Sequence, residues 1–81
     1  MQLVAPPPDP QPALGRAVRQ LRERKGISQE DLAHDARVTT GTISTIERGL
    51  SNPTWGTVKN IAAALDVSMI ELVKTADKLD A

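Results

Sequence analysis

Residues 29–46 read QEDLAHDARVTTGTISTI, and their apolar members decide the fold. Leu32, Ala33 and Ala36 recur at helical spacing, Arg37-Val38-Thr39 interrupts them, and Ile43 and Ile46 resume on one side of a new helix. This spacing predicts two short helices meeting at a tight turn. Ala33 is small where two such helices cross closely, while Leu32, Val38, Ile43 and Ile46 are apolar where the pair must dock on a core. Ser28, three residues before Asp31, supplies an acidic capping box for the first helix; Thr39 caps the second, and Gly49 lies past its end. The second helix is left with an outward face of Thr40, Gly41, Ser44, Thr45 and Arg48. Two packed helices with no ligand would show the same apolar spacing, so periodicity alone leaves the purpose of that face open.

Upstream, Leu14, Ala17, Val18 and Leu21 fall at i, i+3, i+4 and i+7, predicting a helix that runs to about Lys25. Gly26 ends it in the left-handed conformation, with Ile27 in the hydrophobic position that follows. Downstream, Asn52-Pro53-Thr54 breaks the chain and caps a helix whose stripe is Trp55, Val58, Ile61, Ala62 and Leu65, which reads Trp55 as a core residue. Ser68 and Glu71 form a capping box for a fifth helix bearing Met69, Leu72, Val73, Ala76 and Leu79. No strand pattern occurs. The expected fold is all-α, a compact five-helix domain over residues 13–81. The arm before it, Met1 to Pro12, carries five of the six prolines and is expected to be extended or disordered.

Eighty-one residues allow one domain, and 40% hydrophobic content gives it a core. With no cysteine and one histidine, a disulfide framework, a thiolate zinc site and a His-rich metal site are all disfavoured; no metal or cofactor is expected. His34 falls on the outer face of its helix and reads as solvent-exposed. Trp55 is the single aromatic residue, which excludes a base-stacking platform for single strands. No apolar run approaches the 18 or so residues of a membrane span and no secretion signal opens the chain, so a cytoplasmic protein is expected. No Ser/His/Asp set and no glycine-rich phosphate loop is present, and the chain does not read as an enzyme. Formal charge is zero but unevenly spread: Arg16, Arg19, Arg22, Arg24 and Lys25 stand against Glu23 alone, while Glu30, Asp31 and Asp35 follow without a cation.

From about Leu14 to Leu72 the chain resembles the phage repressor and Cro type of helix-turn-helix domain, the XRE family. The residues that carry the resemblance are Leu21-Arg22, Ser28-Gln29-Glu-Asp-Leu-Ala, Val38-Thr39, Thr42-Ile43-Ser44, Ile46-Glu47-Arg48-Gly49, Asn52-Pro53-Thr54, Ile61-Ala62-Ala-Ala-Leu65, Val67-Ser68 and Glu71-Leu72. The resemblance implies a helix-turn-helix at the second and third helices, with the latter entering the major groove of double-stranded DNA. It implies phosphate contacts from Ser28, Gln29, Arg48 and the amides around Asn52, with Thr39 near the backbone, and base edges facing Thr40, Gly41, Ser44 and Thr45. It also implies an inward-facing ion pair between Arg22 and Glu47. The sequence departs from the family in two places. Arg37 stands where the turn usually has glycine, at a conformational cost of about 1 kcal/mol that a phosphate contact from its guanidinium would offset. The outward face lacks the Gln, Asn, Lys or Arg that make bidentate contacts to purines, so DNA shape, water bridges and thymine methyls would carry much of the specificity.

The function expected from these residues is a sequence-specific transcriptional regulator. With the fifth helix ending the chain, a stand-alone repressor or autoregulator is expected; a restriction-modification controller or an antitoxin of the same fold is the alternative. A protein-interaction module with an unidentified protein partner and no DNA binding is the reading from another class. Ile70 stands outside the fifth helix's stripe at a position that is ordinarily polar, and with Val73 it is expected to form a homodimer interface. Such a dimer would set two reading helices about 34 Å apart, calling for a pseudo-palindromic operator. Roughly 6 neutralised phosphates per dimer would give a log–log salt slope near −5.

Overall fold

Residues 9–80 are the part of the chain that this computed structural model describes, and five helices form among them: α1 Pro12–Lys25, α2 Gln29–Ala36, α3 Thr40–Glu47, α4 Trp55–Ala64 and α5 Met69–Asp80. The first four stop in the same way. Gly26, Arg37, Gly49 and Asp66 each take positive φ, at 77°, 60°, 74° and 59°. In each case the next amide reaches back five residues, Ile27 to Arg22 O (3.4 Å), Val38 to Ala33 O (3.0 Å), Leu50 to Thr45 O (3.2 Å) and Val67 to Ala62 O (3.0 Å). Ile27, Val38 and Val67 thereby turn an apolar side chain back onto the core, whereas Leu50 stays exposed.

The starts are built as locally. Ser28 and Asp31 form both halves of the capping box, Asp31 N to Ser28 Oγ at 3.0 Å and Ser28 N to Asp31 Oδ2 at 3.3 Å. Thr39, Thr54 and Ser68 accept from the amides of Thr42, Thr57 and Glu71. α1 begins at Pro12, in the first-turn position that needs no amide donor, so helix starts at the residue where the arm was expected to end. Gln11 N donates to Ser51 O at 3.0 Å, tying the start of α1 to the loop after α3. The first eight residues of the expected arm lie outside the described residues.

Val18, Leu32, Ile43, Ile61 and Leu72, one from each helix, are the largest fully buried side chains. α1 packs on α3 and α5, and α2 packs on α3 and α4, so α1 and α2 together form the seat on which α3 rests. The seat is tightest at Gly15, where a Cβ would overlap the Ile46 carbonyl oxygen. α1 is also pinned at both ends of the domain: Arg16 Nη2 donates to Leu79 O (3.0 Å), and Lys25 Nζ to Ala64 O (2.8 Å) and Asp66 Oδ2 (2.7 Å).

Two expectations about the core are corrected. Trp55 is 67% exposed, although Val58, Ile61, Ala62 and Leu65 behind it on the same stripe are buried. It is the first residue of α4. Val73 is 53% exposed, so the inward face of α5 is Met69, Leu72, Ala76 and Leu79 without it. No helix among the described residues is long and apolar enough to cross a membrane.

Candidate nucleic-acid interface

α3 presents its polar side to solvent from a fixed base. Ile43 and Ile46 are buried beneath it, Glu47 is buried at its end, and the close contact of Gly15 with the Ile46 carbonyl sets its height above α1. Gly41 is exposed, and Thr40, Ser44 and Thr45 are half-buried beside it. Thr45 Oγ1 donates to Gly41 O at 2.8 Å. Its only hydroxyl proton is thus spent on the helix, and what Thr45 offers outward is acceptor lone pairs and a methyl group. Thr39 Oγ1 caps Thr42 N and shares a 2.9 Å hydrogen bond with Thr42 Oγ1.

Arg37 and Arg48 flank this surface and are both exposed. Arg37 ends α2 at φ 60°, ψ 42°, the left-handed conformation that glycine adopts without strain. Arg48 Nε reaches Ser44 O at 3.4 Å, which leaves the rest of its guanidinium free to bind. Asn52 is exposed in the loop before α4. Ser28 and Gln29 open α2, whose first-turn amides of Gln29 and Glu30 have no intrahelical acceptor and so point positive dipole outward. The residues singled out in the sequence therefore lie at the starts of α2 and α3, along α3, and in the turns that bracket it.

The run of cations in the sequence of α1 does not form one free basic patch. Arg16, Arg22 and Lys25 are bound to the protein's own carbonyls and carboxylates, Arg19 lies 3.5 Å from Glu23, and Arg24 is exposed beside Ser68, Ile70 and Lys74 near α5. The positive charge available near α3 is that of Arg37 and Arg48.

Sequence reasoning missed one residue and one contact. Ser51 joins Thr39, Gly41, Thr42 and Thr45 around a shallow depression beside the start of α3, and its hydroxyl is buried without a partner among the described residues. Nothing in a lone loop serine signals that. Gln29 was read only as outward-facing; its Nε2 donates to Glu47 Oε1 at 3.0 Å. Glu47 in turn receives Arg22, Nε to Oε2 at 2.6 Å and Nη2 to Oε1 at 3.0 Å, and the hydrogen bond to this carboxylate raises the guanidinium's pKa above its ordinary value. α1, α2 and α3 are joined at this one carboxylate.

Comparison with known proteins matches residues 13–74 to the helix-turn-helix domain model. Over 65 residues the chain is 37% identical to the uncharacterized HTH-type transcriptional regulator y4dJ of Sinorhizobium fredii, covering 80% of this chain and 84% of that one. Other curated regulators that it resembles are longer, and the chain spans 40% of one and 61% of another. Among solved structures it is similar to the clp gene regulator ClgR from C. glutamicum, with TM-score 0.84, 31% identity, and coverage of 88% of this chain and 92% of that one. It is also similar to the restriction-modification controller protein C.AhdI from Aeromonas hydrophila, with TM-score 0.74, 34% identity, and coverage of 76% and 94%.

Proposed function

The chain belongs to the helix-turn-helix family of transcriptional regulators, and from that premise we propose that it is a cytoplasmic repressor or autoregulator that binds double-stranded DNA as a homodimer. The observation that carries the reading is α3 itself, seated on α1 and α2 with a polar face of Thr40, Gly41, Ser44 and Thr45 turned out between two exposed arginines. In the major groove those four residues meet base edges, while Arg37, Arg48, Asn52, Thr39, Ser28 and Gln29 hold phosphates on either side. Thr45, as an acceptor with a methyl, suits the exocyclic amine of adenine or cytosine or the methyl of thymine, and not a guanine acceptor edge. A regulator is favoured over an enzyme because the family model and the curated relatives that the chain matches are those of helix-turn-helix transcriptional regulators.

Ile70 and Val73, 69% and 53% exposed on α5, support the dimer: two large apolar side chains one turn apart are what a second copy would cover. The two-fold axis then sets half-sites about one DNA turn apart and requires a pseudo-palindromic operator. Likeness to the controller C.AhdI favours a second reading within the same class, control of restriction-modification genes.

Selection of duplexes from a random pool tests the proposal. Enrichment of a two-fold symmetric site is expected, with Gln29→Ala weakening all sequences alike and Thr45→Ala relaxing preference at one or two base pairs. A pool that shows no enrichment over input would contradict sequence-specific binding.

A further inference from the structure

We infer that Glu47 is a positioning residue for DNA binding: its carboxylate fixes the carboxamide of Gln29, leaving one Nε2 proton for a phosphate oxygen. This deepens, and rests on, the proposed phosphate contact of Gln29.

Three donors converge on Glu47, whose side chain is 3% exposed: Arg22 Nε at 2.6 Å, Arg22 Nη2 at 3.0 Å and Gln29 Nε2 at 3.0 Å. A carboxylate only accepts, so it selects one of the two orientations of the Gln29 amide, nitrogen towards Glu47. The amide nitrogen carries two protons. One is bound by Glu47 Oε1, and the other is the donor that a second acceptor requires. A phosphate oxygen is such an acceptor, and a glutamine bridging carboxylate and phosphate through one nitrogen places both protons of that nitrogen.

Two objections are met by Arg22. A carboxylate close to a phosphate would repel it, but the guanidinium covers both Glu47 oxygens and cancels the charge. A glutamine at a helix start is ordinarily free to swing, but Arg22 Nη1 also donates to Ile27 O at 2.9 Å, two residues before Gln29, and so holds the backbone that leads into α2. The side chain is ordered during folding, which removes that loss of freedom from the binding step. The same contacts lock the start of α2 to the end of α3, so the phosphate anchor and the base-reading helix approach DNA as one rigid unit.

The test is a cycle of DNA affinities measured by anisotropy on a mixed-sequence duplex of about 30 base pairs at about 50 mM salt. Gln29→Ala is made in the wild type and in the paired Arg22→Met/Glu47→Met background, which removes the ion pair without stranding one charge. Gln29→Ala should weaken wild-type binding about tenfold and the paired variant less than about twofold. An equal loss in both backgrounds overturns the inference. No loss in a wild type that does bind DNA overturns both the Gln29 contact and its positioning, while leaving DNA binding intact; a wild type that binds no duplex brings down the proposed function and the inference with it. If the paired variant does not fold, the side-chain amide signals of the free wild-type protein decide. Gln29 should be rigid beside the exposed Gln20, with one of its two amide protons shifting on addition of the duplex, and a Gln29 as mobile as Gln20 overturns the inference.

Discussion

The Arg22 guanidinium grips both oxygens of Glu47 across 25 residues of sequence, joining α1 to the end of α3 with side chains only 13% and 3% exposed. At this burial the pair differs in kind from the open Arg19–Glu23 contact, whose partners are 63% and 57% exposed. Removing one member leaves the other charged and desolvated, whereas an exposed pair returns at most about 1 kcal/mol. Glu47→Ala should therefore lower the unfolding free energy in urea by roughly 3 kcal/mol, and the paired Arg22→Met/Glu47→Met variant by much less. A change of a few tenths for Glu47→Ala would mean that the pair is open to water in solution.

Arg37 carries a strain that a smaller residue would relieve. At φ 60° it holds a side chain in the left-handed region, so Arg37→Gly should raise stability by up to about 1 kcal/mol in thermal unfolding. The same substitution should weaken duplex binding and make the salt slope shallower by about 1 per half-site, because the cation is lost. Greater stability with unchanged DNA affinity would assign the arginine no phosphate.

Gly15→Ala addresses the seat of α3 directly. The added methyl meets the Ile46 carbonyl oxygen, which is backbone and cannot rotate away, so α1 and α3 must separate. Overpacking of this kind costs about 1–3 kcal/mol. Denaturation and the affinity for DNA should both register it, and a fully stable variant would show that the two helices are farther apart than described.

The helices and their stops were legible because both are local. Apolar spacing, Ser28 with Asp31, Thr39, and Gly26 before Ile27 each act within about one turn of chain, and the structure places those caps and stops there. Trp55 was not legible, since its stripe shows which side of α4 is apolar and says nothing of how far the neighbouring helices extend. The partners of Arg16 and Lys25 were hidden for a related reason: Ala64, Asp66 and Leu79 lie 39 to 63 residues away, beyond the reach of a local charge count, whereas the Arg22–Glu47 pair was legible through the family resemblance. Asp66 ends α4 with positive φ where the sequence offers only the tolerance of aspartate for that conformation. The Gln29–Glu47 bond escaped because a glutamine at a helix start reads as outward-facing until the third helix is in place.

Ile70 gives the assembly a simple check. Sedimentation at tens of micromolar should find a wild-type dimer and a monomeric Ile70→Glu variant, because a charge buried at the centre of a two-fold contact is met by its own copy. A monomeric wild type, or a variant that dimerises as well, would remove α5 as the interface.

Duplex DNA affinity measured as a function of salt tests the central claim most directly. With Arg16, Arg22 and Lys25 bound to the protein's own oxygens and Arg24 beside α5, the two arginines that flank α3 in each of two protomers displace the counterions, and log K should fall against log salt with a slope of about −4, shallower than the roughly −5 that six phosphates would give. A slope indistinguishable from zero, or no binding to any duplex at low salt, would contradict a DNA-binding function for α3 and its flanking arginines.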